Sequence, residues 1–163
     1  MIMTIMKGKV LSIIALVFLA SSITIASAST TKTPFYLKAL ATTMNVEWSH
    51  QADDSLGIMK LTEGGIVRDA QDQEVGTFAF DLIETISMKT GRGTASGHFA
   101  INFNSGATIE GTITAKIQMY IGTYLPPDVD GKFVGHGDMH VMGDLYLMIE
   151  GANAFIVFDG YSW

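Results

Sequence analysis

The chain has 163 residues, ten Lys and Arg against sixteen Asp and Glu, a net charge of −6 and no cysteine. An acidic chain without a basic cluster argues against nucleic acid and against an anionic membrane surface. The missing cysteines exclude disulfides and a lipid-modified N-terminal cysteine, so packing and strand pairing must supply the stability.

The first segment reads as an address. Lys7 and Lys9 precede an apolar run from Val10 to Ala20, and Ala26 and Ala28 form a small-x-small cleavage site before Ser29. That is the order of a secretory signal peptide over residues 1–28, leaving 29–163 as one mature domain outside the cytoplasm. The alternative is an uncleaved anchor, since the stretch from Val10 to Ala28 approaches the ~20 residues that cross a bilayer. Cleavage removes two of the ten basic residues and no acidic one, taking the net charge to −8. No membrane association is expected after that cleavage.

The mature chain reads as β almost throughout. Phe35 to Trp48 is strand-like, but neither face is consistently apolar. Leu56 to Thr62 and Ile66 to Arg68 read as a short hairpin around Gly64-Gly65. Gly76, Phe78, Phe80, Leu82, Ile86 and Met88 form one apolar face, interrupted by Glu84. From Gly93 to Phe103 and from Ala107 to Met119 the odd positions are apolar or small and the even ones mostly polar, the period of a half-buried strand. Keeping both apolar faces on one side requires a three-residue loop, Asn104-Ser105-Gly106, with Gly106 in the left-handed position. That register sets Ile101 against Ile109, Phe99 against Gly111 and Gly97 against Ile113, so large faces small. "YLPPDVDG" (Tyr124 to Gly131) is a connection that would cover a barrel mouth. Lys132 to Leu147 alternates without interruption and would span ~50 Å if straight, so it is expected to bend at Gly135, Gly137 and Gly143. Phe155 to Trp163 is a last, aromatic-rich strand.

Long antiparallel strands punctuated by glycine predict an all-β fold, a single small closed antiparallel barrel rather than a flat sandwich. In those two features the pattern resembles the architecture of allene oxide cyclase and dirigent barrels and of lipocalin-like cups. The resemblance implies a barrel mouth that binds a small hydrophobic molecule, with or without an isomerisation.

The chemistry-bearing residues concentrate in "KFVGHGDMHVMGDLYL", Lys132 to Leu147. His136, Asp138 and His140 share one strand face. Alternate residues lie ~6.6 Å apart, and two imidazoles at that spacing can converge on zinc, which they bind at ~2.0–2.1 Å. The alternative is a solvated face, with the odd positions turned to the core and the histidines outward. A third reading lines the barrel with the polar face, placing His98, Glu110, Lys116, His136 and His140 inside. "DVDG" fails as a calcium loop because Pro126 would occupy the first ligand position. "GRG" and "GHG" precede no helix and make no phosphate loop. Ser49, His50, Asp53 and Ser55 lie near one another without a nucleophile elbow. Met88, Met119 and Met139 fall on core-side positions.

Three functions follow as expectations. The first is an exported module binding a small apolar ligand in the barrel, with no cofactor. The second is an extracytoplasmic isomerase or metal-assisted enzyme using the His136, Asp138 and His140 face with a divalent metal such as zinc. The third is a solid barrel whose outer face meets a partner. A cavity of ~300 Å³ or more separates the first from the third.

Overall fold

The computed structural model describes residues 31–50 and 55–163. The expected leader and its cleavage site lie outside the described residues. Among those described, eight strands follow one another: β1 (Thr33–His50), β2 (Leu56–Arg68), β3 (Glu74–Ser87), β4 (Arg92–Phe103), β5 (Thr108–Gln118), β6 (Asp128–Gly137), β7 (Val141–Glu150) and β8 (Asn153–Ser162). Each pairs antiparallel with the next, and β8 returns to β1, giving the expected all-β closed barrel.

The β4–β5 hairpin forms in the expected register. Ile101 faces Ile109, Phe99 faces Gly111 and Gly97 faces Ile113. Phe103 N donates to Ala107 O at 2.9 Å, Gly106 N donates to Phe103 O at 2.9 Å, and Gly106 takes φ +92°. A side chain is strained at such a dihedral and glycine is not. On these strands the odd positions enter the core, while His98, Glu110 and Lys116 face outward and are exposed, as is His136 on β6. The polar face therefore does not line the barrel.

Three parts of the chain fold differently from the sequence reading. The stretch from Lys132 to Leu147 is two strands rather than one bent strand. Gly137 at φ +147° opens the turn, and Asp138 N donates to Thr108 O at 3.0 Å. Gly135 pairs with Val141, so five residues, His136 to His140, connect the paired positions, and this odd number keeps the odd face inward on both strands. Gly64-Gly65 is no hairpin loop: β2 runs straight through, and neither glycine has the positive φ that a two-residue hairpin demands. Gly65 is required instead for close approach, since a Cβ there would lie 2.1 Å from Leu40 O. Opposite these glycines β1 carries a bulge, with Ala41 facing Gly65 and Thr43 facing Gly64. The extra residue, Thr42, switches the inward face from odd to even positions. Phe35, Leu37, Ala39 and Ala41 point in before it and Met44 after it. Finally, Met88 is exposed beyond the end of β3 rather than set in the core.

The barrel is filled at one end. Phe35, Phe80, Phe99, Phe133 and Phe158 are all buried, with ring centroids 5.0–6.3 Å apart in successive pairs. Such tilted and edge-on pairs are the favourable aromatic geometries. At this closed end lie the β2–β3, β4–β5 and β6–β7 turns.

On the outside of the wall, β8 also carries buried side chains. Phe155 and Val157 face away from the lumen yet are buried. Their cross-strand neighbours are Leu40 and Lys38 on β1, and Met148 and Tyr146 on β7. Lys38 is buried with them, its ammonium 5.2 Å from the Phe155 ring centroid, 2.7 Å from an Asp72 oxygen and 3.2 Å from Glu150.

Candidate functional site

The other end of the barrel is hollow. A cavity of about 350 Å³ opens between the β3–β4 and β7–β8 turns, under the β5–β6 connection. Its origin lies in residue size. At the closed end the inward positions hold Phe and Ile, whereas near the mouth β1, β4, β5 and β8 present Ala39, Ala41, Ala95, Ala115 and Ala154. Phe80 belongs to both levels, since it meets Phe158 below and lines the cavity above. Pro126 and Pro127, from the connection expected to cover the mouth, line the cavity, although "DVD" of the same stretch belongs to β6. Met119 lines it as well, and Met139 packs against the core at the closed end.

Two charged groups face this apolar space: Glu63 on β2 and Glu84 on β3. Both occupy inward positions of the alternation, Glu63 opposite Phe80 and Glu84 opposite Met59. Both are half-buried, and among the described residues neither carboxyl has a hydrogen bond or ion pair. Burial raises the carboxyl pKa of Glu84 above its ordinary value. It does the same to Glu63, helped by the Glu84 charge. The physical cause is that a half-dry wall solvates an anion worse than water does, and a second anion nearby adds repulsion.

No protein-family model matches the chain, and comparisons with curated proteins and with solved structures find no match. The site must therefore be read from its own geometry.

His136, Asp138 and His140 sit at the closed end, away from this cavity. His136 is on the outer face of β6 opposite Glu110. Asp138 lies in the β6–β7 turn, where its carboxylate accepts from Thr108 N at 2.7 Å. His140 pairs its backbone with Trp163 and stacks its ring on that indole, with centroids 6.0 Å apart. The fold thus puts His136 on a strand and Asp138 and His140 in the turn, each of the last two held by a different partner. Among the described residues no group of three or more His, Cys, Asp or Glu is placed to hold a metal. Of the Ser49, His50, Asp53 and Ser55 grouping, Asp53 and the His50 side chain lie outside what the structure describes.

The sequence reading missed Glu63 and Glu84 as site residues. Glu84 was visible as an interruption of an apolar face. Glu63 was masked by ending a strand at Thr62, and restoring a continuous β2 brings it onto the same face as Met59 and Leu61.

Proposed function

We propose that this chain is an exported β-barrel binding module that holds a small, largely apolar molecule in the mouth of the barrel. The observation that carries this reading is the 350 Å³ cavity with its almost wholly apolar wall. Binding sites for small molecules are concave, mostly apolar, ~300–1,000 Å³ in size, and carry a few placed polar groups. A solid barrel meeting a partner through its outside has no use for such a space. Export rests on the leader pattern of residues 1–28. N-terminal sequencing of the extracytoplasmic protein is expected to begin at Ser29; an intact Met1 in a membrane fraction would refute that part.

The experiment for binding is titration with the apolar fluorophore N-phenyl-naphthylamine, comparing the parent with Ala95→Phe and Ala115→Leu. Both alanines are buried and line the cavity. The parent is expected to bind with enhanced emission. Each filling variant is expected to lose at least tenfold in affinity while keeping its β-type circular dichroism. A parent that does not bind, or filled variants that bind as well as it does, would refute the cavity as the site.

A further inference from the structure

We propose that the ligand is a cationic amphiphile, an apolar body carrying one protonated nitrogen whose charge is countered by Glu63 and Glu84. The inference rests on the cavity being a ligand site and names the class of ligand. Glu63 and Glu84 come from neighbouring strands and line one cavity. The remaining strands and the β5–β6 connection present only Ala, Val, Leu, Ile, Met and Pro to it, so among the described residues no Lys, Arg or His offsets the two acids. Outside the barrel, Asp72 and Glu150 meet Lys38, and Asp144 meets Lys132. Among the described residues Glu63 and Glu84 are turned inward without a cation.

Three ligand classes can be compared. A neutral apolar molecule would strip water from two carboxylates and return nothing, the costly way to bury a charge. A fatty acid would add a third negative group to the same wall. An alkylammonium brings one positive charge and three N–H donors for charge-assisted hydrogen bonding to a carboxylate, while its chain lies along Leu82, Ala115 and Ile117. The raised pKa values of both acids fit groups that lack their countercharge. An amine stays protonated throughout the acid range, so affinity follows the acids. It is full where both are ionised and falls as the pH drops through their raised pKa values. Among the described residues no other titratable group lines the cavity to oppose this.

The test is displacement of the fluorophore by octylamine, octanol and octanoate, on the parent and on Glu63→Gln with Glu84→Gln combined. At ~pH 8, where ordinary carboxyls are ionised, octylamine is expected to bind at least tenfold tighter than octanol, and octanoate weakest. The double Gln variant is expected to abolish the preference for the amine while binding octanol as well as or better than the parent. Amine affinity of the parent is expected to fall on acidification, and that of the variant to stay flat. Equal binding of amine and alcohol, or a preference that survives the double change, would overturn the inference and leave the cavity reading standing. Failure of the fluorophore and all three probes to bind the parent would overturn both.

Discussion

Phe99 and Gly135 are expected to be energetically coupled, and the geometry predicts how strongly. The Phe99 ring, on β4, crosses β5 at Gly111 and reaches β6. A Cβ built on Gly135 would lie 2.8 Å from Phe99 Cζ, and as close to Ile109 Cγ2 and Val141 Cγ2. All three are side-chain atoms with some room to yield, so Gly135→Ala is an overpacking change costing ~1–3 kcal/mol. Phe99 is only 3% exposed, and Phe99→Ala should cost ~3–5 kcal/mol through lost burial and a cavity. That is a large share of the ~5–15 kcal/mol a domain possesses. With the ring gone, one of the three clashes disappears and the new methyl fills part of the void. The double variant should therefore be more stable than the sum of the single changes by ~1 kcal/mol or more, well above the ~0.3–0.5 kcal/mol scatter of independent sites. Gly111→Ala is the contrast: a Cβ there would meet Phe99 Cε1 at 2.6 Å but also the backbone Val134 O at 2.1 Å and Gly135 Cα at 2.6 Å. Removing Phe99 relieves the first and cannot relieve the backbone clashes, so little rescue is expected. Urea unfolding followed by circular dichroism measures all the variants. Additive losses for Phe99→Ala and Gly135→Ala would refute the packing, and with it the claim that small residues on β5 and β6 exist to seat this ring.

Further outcomes follow from the charges. Glu63→Gln and Glu84→Gln should each raise the melting temperature at neutral pH. Their folded pKa values are raised, so the stability linked to each acid is present at low pH and lost as pH rises through the raised value. Thermal melts across pH should show the variants with a flatter decline toward neutrality than the parent, and unchanged slopes would contradict a half-dry wall. Asp72 has the opposite sign. Its hydrogen bond with Lys38 lowers its carboxyl pKa, so the stability it adds is present above the ordinary carboxylate range and lost as pH falls through the lowered value. Asp72→Asn should therefore blunt the acid limb of the melting profile, and an acid limb as steep as the parent's would refute this. His136→Ala combined with His140→Ala should shift stability by no more than ~0.5 kcal/mol, as exposed substitutions do, with zinc giving no rise in melting temperature in either protein. Stoichiometric zinc surviving dialysis and lost in the double variant would instead assign that face a metal.

The β4–β5 hairpin was legible to the residue because nothing competes with its pattern. Both strands alternate with only Ala100 out of pattern, and of a two- and a three-residue loop only the latter keeps Ile101, Phe99, Ile109 and Ile113 on one side. β1 was not legible for two physical reasons. The bulge at Thr42 moves the apolar set from odd to even positions. Before the bulge, Lys38 interrupts the contrast between faces: it is buried between Leu37 and Ala39, lying over the Phe155 ring with its ammonium paired to Asp72 and Glu150. A pattern rule that assumes a wet outer face fails where an outward lysine packs down on apolar neighbours. The turn at Asp138 was hidden by parity, since the five residues between Gly135 and Val141, an odd number, return the chain to the same face and leave the alternation unbroken. Gly64-Gly65 misled in the other direction. Paired glycines commonly mark a turn, but here Gly65 lets the Leu40 carbonyl and the Phe78 ring approach the strand.

The hollow end sets the terms for the whole barrel. Small inward residues near the mouth are a choice made position by position: β1 carries Phe35 and Leu37 at the closed end and Ala39 and Ala41 at the open one, and β4 carries Ile101 and Phe99 below Ala95. Larger side chains at the alanines would extend the core by ordinary burial. An empty apolar void costs ~24 cal/mol per Å³, so roughly 8 kcal/mol is the ceiling for 350 Å³ were it sealed and dry. The open mouth admits water, which lowers that cost, yet an apolar wall gives water few partners. Glu63 and Glu84 add a second cost on the same wall, where Leu or Val would satisfy the alternation better. Two independent features, missing volume and unpaired charge, thus coincide in one place and both work against stability. Departures from the consistent solution are expected where function is served. A ligand with an apolar body and a cationic head offsets both at once, which is why binding should raise the melting temperature more in the parent than in the double Gln variant.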